Sequence, residues 1–146
     1  MKTYSITDTG ILREMNQDYF FASDERWESP ESVHCCRWHG GHKAGDYASR
    51  YTTQRIVASV SRSSGEEPVT ILKEAITTAN RLLITEAAED EAKKGMGTTL
   101  VAATIIDGRL YVANVGDSRL YIIGTDGIRQ ITRIILLWQR WSGSVK

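Results

Sequence analysis

From Val69 to about Ala92, apolar residues recur at helical spacing. Leu72, Ala75, Ile76, Ala79, Leu83 and Ala87 share one face, with Lys73, Glu74, Arg81 and Glu89 mostly off it. This predicts a long amphipathic helix, and Gly95 beyond it reads as the stop, because glycine tolerates the left-handed conformation that ends helices. A second helix is expected over Asp46 to Val60, opening after a Gly-rich loop, with Ser61 to Pro68 as a Ser/Gly linker between the two. Further on the period drops to two. Leu100 to Ile106, Arg109 to Val115 and Arg119 to Ile123 read as a three-strand meander, with Asp107-Gly108 as a two-residue hairpin turn. Inside that stretch, Ala113-Asn114-Val115-Gly116-Asp117-Ser118-Arg119-Leu120-Tyr121 predicts two buried antiparallel strands joined by a tight turn. Ile128 to Thr132 reads as a fourth strand, and Thr3 to Thr7 and Asp18 to Ala22 as short strands flanking an early turn. Strands, two helices and then strands predict an α+β layered domain.

Composition narrows the function classes. At 146 residues the chain has the length of about one domain, enough for a core. Lys plus Arg and Asp plus Glu both number 18, so no basic stripe argues for nucleic acid and no acidic tail for disorder. The longest apolar stretch, Ile134 to Trp138, is far shorter than the ~20 residues a membrane span needs. Met1-Lys2-Thr3-Tyr4-Ser5 lacks the apolar core of a signal peptide, so the expected compartment is the cytoplasm. The only cysteines, Cys35 and Cys36, are adjacent and do not form a secreted disulfide pattern.

Candidate chemistry sits at the turns. Asp117 is a carboxylate at a Gly-Asp corner with no packing reason to be there, although local turn hydrogen bonding also selects Asp. Upstream lie Thr7-Asp8-Thr9-Gly10, Arg13 and Asn16-Gln17-Asp18, then Gly40-Gly41-His42-Lys43-Ala44-Gly45-Asp46, then Gly95-Met96-Gly97-Thr98-Thr99-Leu100. In order and spacing these segments, with the Gly-Asp-Ser-Arg corner, resemble the metal-dependent (PPM-type, type 2C) Ser/Thr protein phosphatases of bacterial style. The resemblance covers roughly residues 1–25 and 40–133, an N-terminal phosphatase part over 1–133 followed by an aberrant tail over 134–146.

The resemblance implies a fold of two stacked antiparallel sheets flanked by helices, an α-β-β-α sandwich present here only in part. It also implies hydrolysis of phosphoserine and phosphothreonine by a water activated on two or three Mn²⁺ or Mg²⁺ ions, for which hard carboxylate oxygens are the natural ligands. By that resemblance Asp18 is a metal carboxylate and Asp117 belongs to an accessory metal. Arg13 grips the substrate phosphate, a role that suits a planar bidentate donor. Asn16 and Gln17 shape the loop or support the ligands from behind. The implied partners are phosphoserine and phosphothreonine proteins, with a Ser/Thr kinase acting on the same substrates; no nucleic acid or membrane partner is expected. Taken singly, each residue also has a local reading: Arg13 as a surface cation, Asp18 as a strand-start carboxylate, Asp117 as a turn residue.

One position departs from the pattern. The family loop reads Val-Ala-Asp-Gly-Met-Gly-Gly-His, and its Asp bridges both metals. Alignment on Gly40-Gly41-His42 puts Arg37 at that Asp and Trp38 at the next Gly. A guanidinium has donors only and cannot ligate a cation. Trp38 also removes a small residue that lets the backbone approach the site. The chain also stops before two further family aspartates, in Ser-Asp-Gly and Asp-Asn motifs. The expectation is therefore weak or lost catalysis, and uncovered sheet edges prone to aggregation.

Residues 26–39 and 134–146 both read as off-frame products. Codons for Arg26 to His39 can be chosen so that a one-base shift yields Gly-Gly-Asn-Leu-Pro-Asn-Leu-Phe-Ile-Val-Ala-Asp-Gly, and a similar shift of Ile134 to Trp141 yields Asp-His-Ser-Leu-Val-Ala-Glu-Met. Trp27, Trp38, Trp138, Trp141, Cys35 and Cys36 all fall in these two segments, and the rest of the chain has neither residue type. Two other readings stand beside a phosphatase. One is a non-catalytic fragment or a phosphoprotein-binding pseudophosphatase using Arg13. The other is a zinc module built from His34, Cys35, Cys36, His39 and His42, whose spacing does not match the usual paired ligands of structural sites.

Overall fold

A computed structural model describes residues 4–12, 14–22, 31–37 (by their backbone), 44–63, 65–106 and 108–132. Its elements in chain order are β1 (Tyr19–Ala22), β2 (Glu31–Arg37), α1 (Gly45–Val60), α2 (Pro68–Glu89), a 3₁₀ turn (Glu91–Lys93), β3 (Thr99–Ile106), β4 (Arg109–Val115), β5 (Tyr121–Gly124) and β6 (Gly127–Gln130). The class is α+β. Strands β1-β2-β3-β4 form an antiparallel sheet in that order, and β5-β6 form a separate two-stranded one.

The helix pair covers one face of the large sheet. Ile56 and Val60 of α1 meet Ile71, Leu72, Ala75 and Ala79 of α2, and both rows close on Leu100 and Ala102 of β3. Leu100 and Ala102 are two residues apart and so share a face of the strand, where Tyr111 and Ala113 of β4 join them. Ser49 and Thr53 are fully buried on α1, Thr53 Oγ1 donating to Ser49 O at 2.9 Å, which lets polar residues sit in a helix-sheet seam.

A polar clasp joins α1 to α2. Tyr47 donates its hydroxyl to Glu86 Oε2 at 2.9 Å, and Lys93 Nζ reaches the same oxygen at 3.0 Å while lying 4.4 Å from the Tyr47 ring centroid. The Lys93 hydrogen bond first, and the Tyr47 hydroxyl second, hold the Glu86 carboxyl below its ordinary value. A lowered carboxyl pKa adds stability above the ordinary carboxyl range, and that contribution fades as pH falls through the lowered value. Glu86→Gln is therefore expected to lower the unfolding midpoint slightly at neutral pH, with the gap to wild type closing as pH drops below about 4.5. Thermal melts of both proteins across that range check it; a gap that widens in acid contradicts it.

Several sequence expectations need correction. The long helix ends at Glu89, not near Ala92, because Asp90 turns extended (φ −133°) and its side chain accepts from Ala92 N at 2.9 Å, starting the 3₁₀ turn. Gly95 (φ +74°) thus follows that turn and does not end the helix itself. Tyr4 to Thr7 form no strand: Tyr4 and Ile6 are exposed, and no described strand lies alongside to satisfy their backbone. The three-strand meander is a β3-β4 hairpin only. Gly116 (φ +100°) carries the chain away from β4, and β5 pairs instead with β6 through the Thr125-Asp126 turn. Residues 121–124 are exposed, so the stretch from Ala113 to Tyr121 does not join two buried strands. The β3-β4 turn keeps Gly108 at φ +72°; Asp107 lies outside the described residues. One element went unforeseen: Glu31–Arg37 forms an interior strand between β1 and β3. Among the described residues, no helix is long and apolar enough to cross a membrane.

Candidate functional site

The antiparallel order gathers the singled-out segments at one end of the large sheet. Tyr19 pairs with Cys36, Cys36 with Leu100, and Leu100 with Val115. One step outward along the same row lie Asp18 before β1, Arg37 at the end of β2, Thr99 at the start of β3 and Gly116 after β4, with Arg37 and Thr99 a register pair. Segments far apart in sequence thus share one short rim.

Local hydrogen bonds shape this rim. Asn16 Oδ1 accepts from Asp18 N at 3.0 Å, an Asx-type turn that sets the backbone entering β1. Asn16 Nδ2 donates to Thr7 Oγ1 at 2.8 Å, tying the first motif to the third residue before the strand. Asp8 Oδ1 accepts from Gly10 N at 2.7 Å and closes the intervening turn, where Gly10 stands at φ +73°. Gln17 contributes its carbonyl, which accepts from the buried Ser49 hydroxyl of α1 at 2.9 Å. Arg50, one residue on, lies over the Tyr19 ring at 5.8 Å from its centroid. Asp18 is half-buried and its Oδ1 is shielded from solvent.

On the opposite side, Gly116 rests directly on Thr99. A Cβ added there would meet Thr99 Cγ2 at 2.5 Å and Thr99 Cβ at 2.9 Å. Thr99 and Ser118 share a hydroxyl-hydroxyl hydrogen bond of 2.7 Å, so the Gly-Met-Gly-Thr-Thr segment and the Gly-Asp-Ser-Arg corner form one contact. Asn114 Nδ2 donates to Gly116 O at 3.3 Å and supports the same bend. Asp117 is exposed at its tip.

These contacts place the candidate residues unevenly. Asp18, Asn16 and Gln17 are adjacent at the β1 side. Asp117 follows β4, three strand spacings or roughly 14 Å of backbone away. Arg13, Trp38 to Lys43 and the tail from residue 133 lie outside the described residues, and Arg37 is placed by its backbone alone. Of the zinc candidates, His34, Cys35 and Cys36 are likewise placed by backbone on β2, while His39 and His42 lie outside the described residues. Ser49, Thr99 and Ser118 were not singled out as site residues from sequence, although Thr99 and Ser118 lie inside quoted motifs.

Residues 7–134 match the profile of the family described as protein phosphatase 2C. The chain belongs to that family. Among curated relatives, the Serine/threonine phosphatase stp of Listeria innocua is 34% identical over 130 residues, covering 86% of this chain and 51% of the relative. Protein phosphatase PhpP of Streptococcus pneumoniae is 32% identical over 136 residues, covering 90% and 54%. The Staphylococcus aureus Stp1 phosphatase crystal structure superposes with a TM-score of 0.80 at 34% identity, over 88% of this chain and 52% of that one. The catalytic domain of the serine threonine protein phosphatase PstP, solved with two manganese ions, gives a TM-score of 0.75 at 27% identity, over 87% of this chain and 53% of that one. The chain therefore spans about half the length of these protein phosphatase 2C relatives.

The described residues do not by themselves assemble a site for the two ions of that manganese complex. Among the described residues no group of three or more His, Cys, Asp or Glu side chains could hold a metal. The rim position across from Asp18 carries arginine, and Asp117 follows β4 on the far side of the sheet.

Proposed function

We propose that this chain is the N-terminal part of a Ser/Thr phosphoprotein phosphatase whose metal-dependent catalysis is lost. The observation that supports it is the occupant of the rim beside Asp18. A bridging carboxylate there would draw divalent cations to a water-activating position. Arg37 is a fixed positive charge with no lone pair to offer. Asp18 and Asp117 are the metal carboxylates of the family pattern that this stretch carries, and Arg13 keeps the chemistry of a phosphate grip. The substrates of the intact protein would be phosphoserine and phosphothreonine proteins, those of a Ser/Thr kinase in the same cell.

The off-frame origin of residues 26–39 belongs to the same reading. Strand β2 is interior to the sheet, where strands flanked on both sides are usually apolar, yet it reads Glu-Ser-Val-His-Cys-Cys-Arg. The one-base-shifted reading of the same positions is Asn-Leu-Phe-Ile-Val-Ala-Asp, an apolar strand that puts aspartate at position 37. The shifts at both segments predict that residues 1–133 are the phosphatase part and 134–146 an unrelated tail. Sequencing the gene tests this: the absence of such a frame in the DNA removes the explanation.

The activity reading is tested by incubating the purified chain with a phosphothreonine peptide and excess Mn²⁺ or Mg²⁺. Phosphate release is expected to stay at the level of the buffer blank. Manganese-dependent turnover that Asp18→Ala abolishes would overturn it.

A further inference from the structure

Strand β4 lies at one side of the large sheet: β3 pairs with one of its edges and, among the described residues, no strand pairs with the other. Ile106 and Arg109 flank the two-residue turn between β3 and β4, so they exchange the hydrogen bonds that close that hairpin. Hydrogen bonding alternates along an antiparallel pair, and Leu110 and Val112 therefore direct their N–H and C=O groups away from β3, toward the open edge. Edge strands that avoid association are short, or carry Lys, Pro or a bulge. Strand β4 has none of these devices. It runs for seven residues, Arg-Leu-Tyr-Val-Ala-Asn-Val, in unbroken register with β3, whereas β1 at the opposite side has four. Beside the open edge runs a groove of about 430 Å³, with Val69, Leu72 and Ile76 of α2 as one wall and Tyr111, Ala113 and Val115 of β4 as the other. Val69 is 62% exposed and Val115 46%, apolar surface that a strand laid in the groove would take out of water.

The charges at the two ends of β4 select the strand that fits. Arg109 opens it and Asp117 follows it, both exposed, so β4 is basic at one end and acidic at the other. An antiparallel copy of the same strand presents these charges in reverse order. With Ala113 on the two-fold axis, Tyr111 faces the partner's Val115 and Arg109 meets the Gly116-Asp117 corner of the partner, and symmetry repeats both contacts. Centring the axis on Val112 would instead bring Asp117 against the partner's Asp107, a like-charge pair. The alanine at the axis also leaves room where the two strands approach most closely. We propose that this chain associates as a two-fold dimer through the open edge of β4, in the register that pairs Arg109 with the partner's Asp117. The two four-stranded sheets then join into one, and each copy's Val115 enters the groove of the other. This use of Asp117 needs only its exposed charge, so it stands whether the chain is active or inactive.

The test is sedimentation velocity of the purified chain from low to high micromolar concentration. Wild type should pass from monomer to dimer over that range, and added salt should shift the passage to higher concentration. Val112→Pro removes one outward N–H and leaves the β3-β4 bonds in place, so it should stay a folded monomer by circular dichroism. Arg109→Asp and Asp117→Arg should each weaken the dimer roughly tenfold, because every dimer then holds two like-charge contacts. The double variant Arg109→Asp/Asp117→Arg restores opposite charges at both contacts and should recover wild-type association. A monomer at every concentration overturns the proposal, and so do assemblies that grow beyond two copies. A dimer that survives Val112→Pro, or that the double variant fails to recover, places the contact elsewhere and overturns it as well. Should Val112→Pro fail to fold, the wild-type series and the charge exchange between two exposed residues decide the matter.

Discussion

Gly116→Ala is expected to destabilise the chain by about 2–5 kcal/mol, combining the positive-φ penalty with overpacking. Two independent costs meet at this residue. Its φ of +100° is a conformation that residues with a Cβ rarely adopt. The new methyl would also sit 2.5 Å from Thr99 Cγ2 and 2.9 Å from Thr99 Cβ. Thr99 cannot simply rotate away, because its hydroxyl is bonded to Ser118 at 2.7 Å and its Cβ is fixed by the strand. Relief would require β4 to lift off β3 at the rim that carries the candidate site. A chain of this size should lose roughly 10 °C of melting temperature. Gly124→Ala is the control, since nothing lies within 4 Å of its added Cβ and its φ is not positive; its midpoint should move by less than about 0.5 kcal/mol. Urea or thermal unfolding of both variants checks the contrast, and equal midpoints would mean that the Gly116-Thr99 contact does not form.

That contact marks what could and could not be read from sequence. The helices were legible because burial on one side imposes a period of 3.6, and α1 and α2 begin within one residue of their expected starts. The end of α2 was not, because a single side chain, Asp90, decides it through one hydrogen bond. Strands β3 and β4 were legible for the same reason as the helices, with a glycine at their turn. The partner of β5 was not: alternation marks a strand without naming its neighbour, and the bend at Gly116 sends it to β6. Strand β2 carries neither alternation nor a β-branched run, so its pairing comes from the surrounding sheet and not from its own residues. At the rim, the motifs around Asp18, Thr99 and Asp117 could be recognised singly. Their convergence depends on the antiparallel order, which places the start of β1 and β3 beside the end of β2 and β4. The hydroxyl pair Thr99-Ser118 and the Ser49-Gln17 link are properties of that packing and have no local signature.

Ile56→Ala is the second large effect, expected at about 2–5 kcal/mol for a truncated core isoleucine. Ile56 is completely buried on α1 and belongs to the cluster formed with Leu72 and Ala75 of α2 and Leu100 and Ala102 of β3. Its loss removes transfer free energy and leaves a cavity where three elements meet. Small neighbours surround it, since Ala75, Ala79 and Ala102 have no side-chain length with which to fill the space, so the cost should fall in the upper part of that range. With total stabilities of about 5–15 kcal/mol for domains generally, such a loss takes a large share. Ile84→Ala on α2, at 61% exposure, should change stability by less than about 0.5 kcal/mol. Ile56→Val should lie between the two, at about 0.5–1.5 kcal/mol. The ordering separates two pictures of how the rim is held. If Ile56→Ala is costly, the helix pair is docked on β3, and Ser49, two turns earlier on the same face of α1, holds the Gln17 carbonyl and hence the entry to Asp18 in place. If Ile56 and Ile84 cost the same, the helices do not clamp the sheet, and the position of Asp18 is set by the Asn16 turn alone.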